Sequence, residues 1–158
     1  MKLCVDFDDA LIEKYARRGS NPLFTIYWKQ GDAAYPEEQW LDFGSVIIGW
    51  WLVAAKLLLE GAIQAEFPFM DGPYRLKAHR TDNMVHFSAD KEAWVWRTPI
   101  DTFVTELLDA ADKVQQKLVD LGISDQESLQ AGIRLLRTAA SQAKPIVSRP
   151  TAALEYVS

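Results

Sequence analysis

The chain has 158 residues, enough for one domain with an ordinary core, and its 49% hydrophobic and 25% charged content argues against disorder. With 17 Lys and Arg against 22 Asp and Glu, the net charge of −5 disfavours nucleic acid as a partner and suits a basic protein. A single cysteine, Cys4, excludes an internal disulfide and a cysteine-rich metal site.

The opening MKLCVDFDD has no apolar signal region. The longest apolar run, residues 43–55, is too short for a bilayer and is flanked by Asp42 and Lys56. A cytoplasmic protein with no membrane partner is the expectation. Six tryptophans is a high number, and some of them are expected at a contact surface.

Residues 2–7 read as a first strand and residues 8–21 as a loop or short helix. Residues 23–29, LFTIYWK, are rich in β-branched and aromatic side chains and read as a second strand. After a turn at residues 30–32, Pro36 opens a predicted helix. Its stripe of Trp40, Phe43, Ile47, Trp50, Ala54 and Leu57 is widened by Val46, Trp51, Val53 and Leu58, so the helix should be covered on most sides. Gly61 ends it.

Four short runs follow. In residues 63–69, Ile63, Ala65, Phe67 and Phe69 share one face. In residues 74–80, Tyr74, Leu76 and Ala78 oppose Arg75, Lys77 and His79. Val85 and Phe87 share a face in residues 84–88, as do Trp94 and Trp96 in residues 93–97. With turns at Asp71-Gly72-Pro73 and Thr81-Asp82-Asn83, these read as an antiparallel meander.

Thr98-Pro99-Ile100-Asp101 then combines a capping residue, proline at the first helical position and an early acid. The stripe from Ile100 through Phe103, Leu107 and Ala111 to Leu121 predicts a helix ended by Gly122. Ser124-Asp125-Gln126-Glu127 reads as a capping box for a last helix, whose inward face is Leu129, Ile133, Leu136 and Ala140. Residues 144–158 hold two prolines without periodicity and read as a tail on a single domain of residues 1–143. The order β-β-α-β-β-β-β-α-α predicts an α+β fold, with an antiparallel sheet of about six strands packed on one face by three helices.

Two constellations have enzyme-like features. Asp6-Phe7-Asp8 after an apolar strand resembles the first motif of haloacid-dehalogenase-type phosphatases, which implies a nucleophile at Asp6, an acid/base at Asp8 and magnesium on both. The likeness departs at Asp9-Ala10, where that family has Gly-Thr, and the family's alternating βα units are missing; the bland alternative is a solvated loop. His79 and His86, with Glu66, have the side chains for a metal site, but their spacing is not diagnostic and surface histidines on a wet sheet face are far commoner. No phosphate loop, dinucleotide fingerprint, zinc-protease motif or nucleophile elbow occurs, so no catalytic residue and no cofactor is expected.

The remaining feature is the second face of the meander, with Gln64, Glu66, Arg75, Lys77, His79, Met84 and His86. Three helices cover only one side of such a sheet, so this face should be open, either plainly solvated or binding a protein beside Met84 and Trp94 or Trp96.

Two motifs carry a family likeness. Asp32-x-x-x-Pro36-x-x-x-Trp40-x-Asp42-Phe43 is followed by Phe67-x-Phe69-Met70-Asp71-Gly72-Pro73-Tyr74, a strand run and two closing helices. Over residues 22–140 the chain resembles small immunity proteins of bacterial polymorphic toxin systems. The resemblance implies a protein without catalytic residues that binds a cognate toxin domain and occludes its active or substrate-binding surface. Asp6, Asp8, Asp9, Glu37 and Glu38 are the densest acids outside helices and are candidates to mimic the phosphates of a basic toxin's substrate. The alternatives are the magnesium-dependent phosphatase and a small-ligand binding domain with a pocket between the central helix and the meander. A monomer or an edge-paired homodimer is compatible with the pattern.

Overall fold

The computed structural model describes residues 1–17, 21–89, 94–123 and 127–143, the Trp94 side chain excepted. The first half of the chain runs β1 (Lys2–Asp6), α1 (Asp9–Arg17), β2 (Phe24–Gln30), β3 (Ala33–Tyr35), β4 (Leu41–Asp42) and α2 (Gly44–Leu59). The second half runs β5 (Gln64–Pro68), β6 (Arg75–Thr81), β7 (Met84–Ala89), β8 (Trp94–Pro99), α3 (Ile100–Asp120) and α4 (Glu127–Gln142). The predicted capping box and the tail at residues 144–158 lie outside the described residues, apart from Glu127.

The α+β class and the antiparallel pairing are as expected, but the single sheet of about six strands is not. Two four-stranded sheets form instead. Sheet A has β2 between β1 on one side and β3 with β4 on the other, and sheet B is the meander β5-β6-β7-β8. The physical reason lies in residues 33–42. They fold back along β2, Tyr35 opposite Trp28 and Asp42 opposite Phe24, and so occupy the edge that β5 would need to join.

The same segment corrects the start of the central helix, which begins at Gly44 rather than at Pro36. Gln39 adopts φ 61°, which no helix accepts, and Trp40 uses its carbonyl to accept the Ile26 N–H at 2.8 Å. Four helices form rather than three, because residues 9–17 make α1 around the buried Ile12. The predicted cap of α3 also moves. Thr98 pairs with Val85 in the sheet, and Pro99 takes the capping position.

Both sheets turn an apolar face onto α2 and α3. Phe103 of α3 sits at the centre, its ring 5.5 Å from Trp28 of sheet A and 5.2 and 4.8 Å from Phe67 and Phe87 of sheet B. Trp28 in turn lies 5.6 Å from Trp51 of α2. Leu129, Ile133 and Leu136 bury α4, and Gly132 allows it close to α2, since a Cβ there would lie 3.1 Å from Leu52. The expectation that α2 is covered nearly all round fails on one stripe: Trp50, Val53 and Leu57 are 43%, 58% and 52% exposed.

A set of hydrogen bonds ties the sheets together. Asp42 is fully buried, and its carboxylate accepts from Trp40 Nε1 at 3.1 Å, from the Phe43 N–H at 2.7 Å and from the Asp71 N–H at 3.2 Å. Trp51 Nε1 donates to the Pro68 carbonyl at 2.7 Å, and the Tyr35 hydroxyl accepts from the Arg75 N–H at 3.0 Å. Arg80 of β6 donates to the Leu58 and Leu59 carbonyls, placing a cation at the C-terminus of α2.

Replacing Asp42 by Ala removes the acceptor for three donors, two of them in the backbone, and is expected to cost about 3 kcal/mol in urea unfolding. Ala in place of the exposed Asp32 is expected to stay within about 0.5 kcal/mol of the parent. Gly44→Ala should also lower the urea midpoint, because its Cβ would run into the buried Phe24 ring.

Candidate functional site

The alternation of sheet B sorts its side chains cleanly. Phe67, Leu76, Ala78, Val85, Phe87 and Trp96 are buried against the helices. The opposite face has no covering element among the described residues, and the register builds it into rows that cross all four strands. One row runs Gln64, His79, His86, Arg97; the next runs Glu66, Lys77, Ser88, Val95. Arg75 continues the face beyond Lys77, and Met84 extends it beside His86 at the hairpin end. Six of the sequence-predicted candidates, Glu66, Arg75, Lys77, His79, Met84 and His86, therefore share one surface.

This surface is concave. A depression of about 640 Å³ lies between Gln64 and Glu66 on β5, Lys77 and His79 on β6, and His86, Ser88 and Val95 beyond them. Its wall includes an apolar element, because Val95 is 64% exposed. The small-ligand pocket predicted between the central helix and the meander is thus displaced to the far side of the sheet. The inner side is filled by Phe67, Phe87 and Phe103.

The electrostatics of the surface run against the net charge of the chain. Among the described residues, three cations, Arg75, Lys77 and Arg97, face one carboxylate, Glu66. Arg75 takes that carboxylate at 3.1 Å. Lys77, His79, His86 and Arg97 have no hydrogen-bond or ion-pair partner among the described residues. Sequence reasoning placed Val95 opposite Trp94 and Trp96 in a strand over residues 93–97, but it did not carry Val95 and Arg97 onto the open face of the meander. The strict alternation with buried Trp96 was the available signal. Trp96 itself stacks on Phe87 at 5.5 Å inside the core, so it does not line the open face as expected.

The other five candidates do not gather. Asp6 ends β1 opposite Thr25 at the start of β2, whereas Glu38 reaches Lys29 near its end, four residues or about 13 Å along the strand. Glu38 accepts from Lys29 Nζ at 2.8 Å, a hydrogen bond that raises the lysine above its usual range. Asp9 pairs with Lys117 at 2.9 Å. Asp8 caps α1 by accepting the Leu11 N–H at 3.3 Å, and Asp6 accepts the Phe7 N–H at 3.0 Å. Glu37 is exposed in the loop before β4. Asp6 and Asp8 also lack the frame of the phosphatase likeness, since β1 is the edge strand of an antiparallel sheet.

No group of three or more His, Cys, Asp or Glu suited to a metal ion occurs among the described residues. His79 and His86 are direct cross-strand neighbours, but Glu66 lies in the next row and is ion-paired with Arg75. The free edge of β1 is filled by side chains of α3, with the Leu3 N–H donating to Glu106 at 2.9 Å and Lys113 donating to the Val5 carbonyl at 3.0 Å. That leaves β1 a poor edge for pairing with a second copy. No helix among the described residues is long and apolar enough to cross a membrane.

No protein-family model matches the chain, and neither a curated protein nor a solved structure is significantly similar to it.

Asp8→Ala is expected to lose about 1 kcal/mol of stability as a lost helix cap, measured by chemical denaturation. Asp6→Asn, which keeps the acceptor oxygen, should unfold at the same denaturant concentration as the parent.

Proposed function

We propose that the protein is an immunity-type inhibitor that binds a cognate bacterial toxin domain in the cytoplasm and occludes its active or substrate-binding surface. The observation that carries this reading is the open face of sheet B. It is a rigid, four-stranded platform with unpaired polar groups around a depression and an exposed Val95 at its wall. Flat or shallow faces with a few anchors and a polar surround suit a protein partner. The docking set is Glu66, Arg75, Lys77, His79, Met84 and His86, joined by Val95 and Arg97.

The acidic candidates Asp6, Asp8, Asp9, Glu37 and Glu38 have a weaker claim, because they are dispersed and three of them already serve a cap or an ion pair. Occlusion needs no catalytic group of the inhibitor's own: a body of this size seated over a toxin's cleft excludes substrate sterically. The depression supports a second reading, a small-ligand binding domain, since about 640 Å³ falls within the range of small-molecule sites.

The test is co-purification of the tagged protein with an inactivated toxin domain encoded beside it, followed by titration calorimetry of the pair. A stoichiometric complex that blocks the active toxin is expected, and Val95→Asp should weaken it at least about tenfold while leaving the unfolding midpoint unchanged. A well-folded protein that neither binds nor inhibits that domain would refute the pairing. Stabilisation by small molecules at the same face would then favour the second reading.

A further inference from the structure

We infer that the open face of sheet B receives an acidic, extended segment of its protein partner. The inference rests on that face being the docking surface and adds the chemistry of what docks there.

Charge complementarity carries it. The chain has a net charge of −5, yet this face is cationic, with Glu66 as its one carboxylate among the described residues and Arg75 already on it. Lys77 and Arg97 are left without counter-ions in neighbouring rows. A cation that the fold itself does not pair is available to a carboxylate from outside, at the cost only of its own desolvation.

The spacing favours an extended chain over a lone anion. Lys77 and His79 stand two residues apart on β6, about 7 Å along the strand, which matches carboxylates at alternate positions of an extended peptide. The depression of about 640 Å³ has room for several residues, and Val95 offers an apolar contact that an inorganic anion would not use.

His79 and His86 face each other across β6 and β7, with Gln64 beyond His79 and Arg97 beyond His86 in the same row. The groups around them on the open face are Glu66 of β5, Arg75 and Lys77 of β6, Ser88 of β7 and Arg97 of β8. Each imidazole presents a ring N–H donor to a carboxylate beside the Arg97 cation.

The probe is a synthetic peptide of about ten residues with Glu at alternate positions, compared with its Gln counterpart and with inorganic phosphate, titrated into the isotopically labelled full chain. Chemical shifts are expected to move along β5 to β8 with the Glu peptide alone. Affinity should fall at higher salt. K77Q with R97Q should lower it by about tenfold or more. H79Q with H86Q should weaken binding less than K77Q with R97Q, and unchanged thermal melting of both double variants establishes that the fold is intact.

Equal binding of the Gln peptide, saturation by phosphate at the same affinity, or shifts elsewhere on the molecule would overturn the inference. A toxin domain that binds the K77Q/R97Q protein as tightly as the parent, with no response to the Glu peptide, would overturn it too while leaving the inhibitor reading intact. Peptide binding on this face without any toxin complex would do the reverse.

Discussion

The carboxylate of Asp42 is buried with no ion-pair partner among the described residues and is stabilised by three N–H donors drawn from two separate parts of the chain. Trp40 and Phe43 bring the end of sheet A and the start of α2 to it, and Asp71 brings the turn between β5 and β6. A buried carboxylate tolerates no loss of these partners, so the two sheets cannot slide relative to one another without leaving it unsatisfied. Around it, Tyr35 on Arg75, Trp51 on Pro68 and the edge-on contact of Trp40 with Tyr74 at 5.2 Å repeat the same link. The junction sets the orientation of the meander: its aromatic face closes on Trp28 and Phe103, and its polar face is left outward.

That orientation determines which residues are available for recognition. Polar side chains of β5 to β8 are spaced by strand geometry alone, so the platform is as rigid as the sheet beneath it. Its charge is opposite in sign to that of the whole protein. Net charge is therefore a poor guide to the charge of this face, because many acids sit on sheet A, the loops and the helix surfaces, where several are paired or cap a helix.

The motifs behind the family resemblance have a structural role of their own. Tyr35, Trp40 and Asp42 belong to or adjoin the first motif, and Phe69, Asp71 and Tyr74 belong to the second; they meet as one aromatic and hydrogen-bonded cluster. The rings of Tyr35 and Trp51 pack 5.9 and 5.1 Å from Phe69. These residues hold the platform in place and do not line it, which separates what fixes the fold from what the proposal assigns to binding.

The sequence by itself determined the long elements whose period is undisturbed, while it left residues 8–21, which hold α1, open between a loop and a short helix. The four strands of the meander follow from alternation, so Lys77, His79 and His86 were correctly placed on one polar face opposite Leu76, Val85 and Phe87. The α3 stripe and the glycine stops at Gly61 and Gly122, with φ 113° and 69°, were equally legible. Only the tertiary structure decided the course of residues 33–43. Their apolar spacing reads as helix, but pairing with β2 and burial of Asp42 win over a helical turn that would leave β2 with an open edge. The division into two sheets follows from that same non-local pairing. The cationic character of the open face was decided there too, because it depends on which carboxylates the fold consumes and which cations it leaves unpaired, and no periodicity records that.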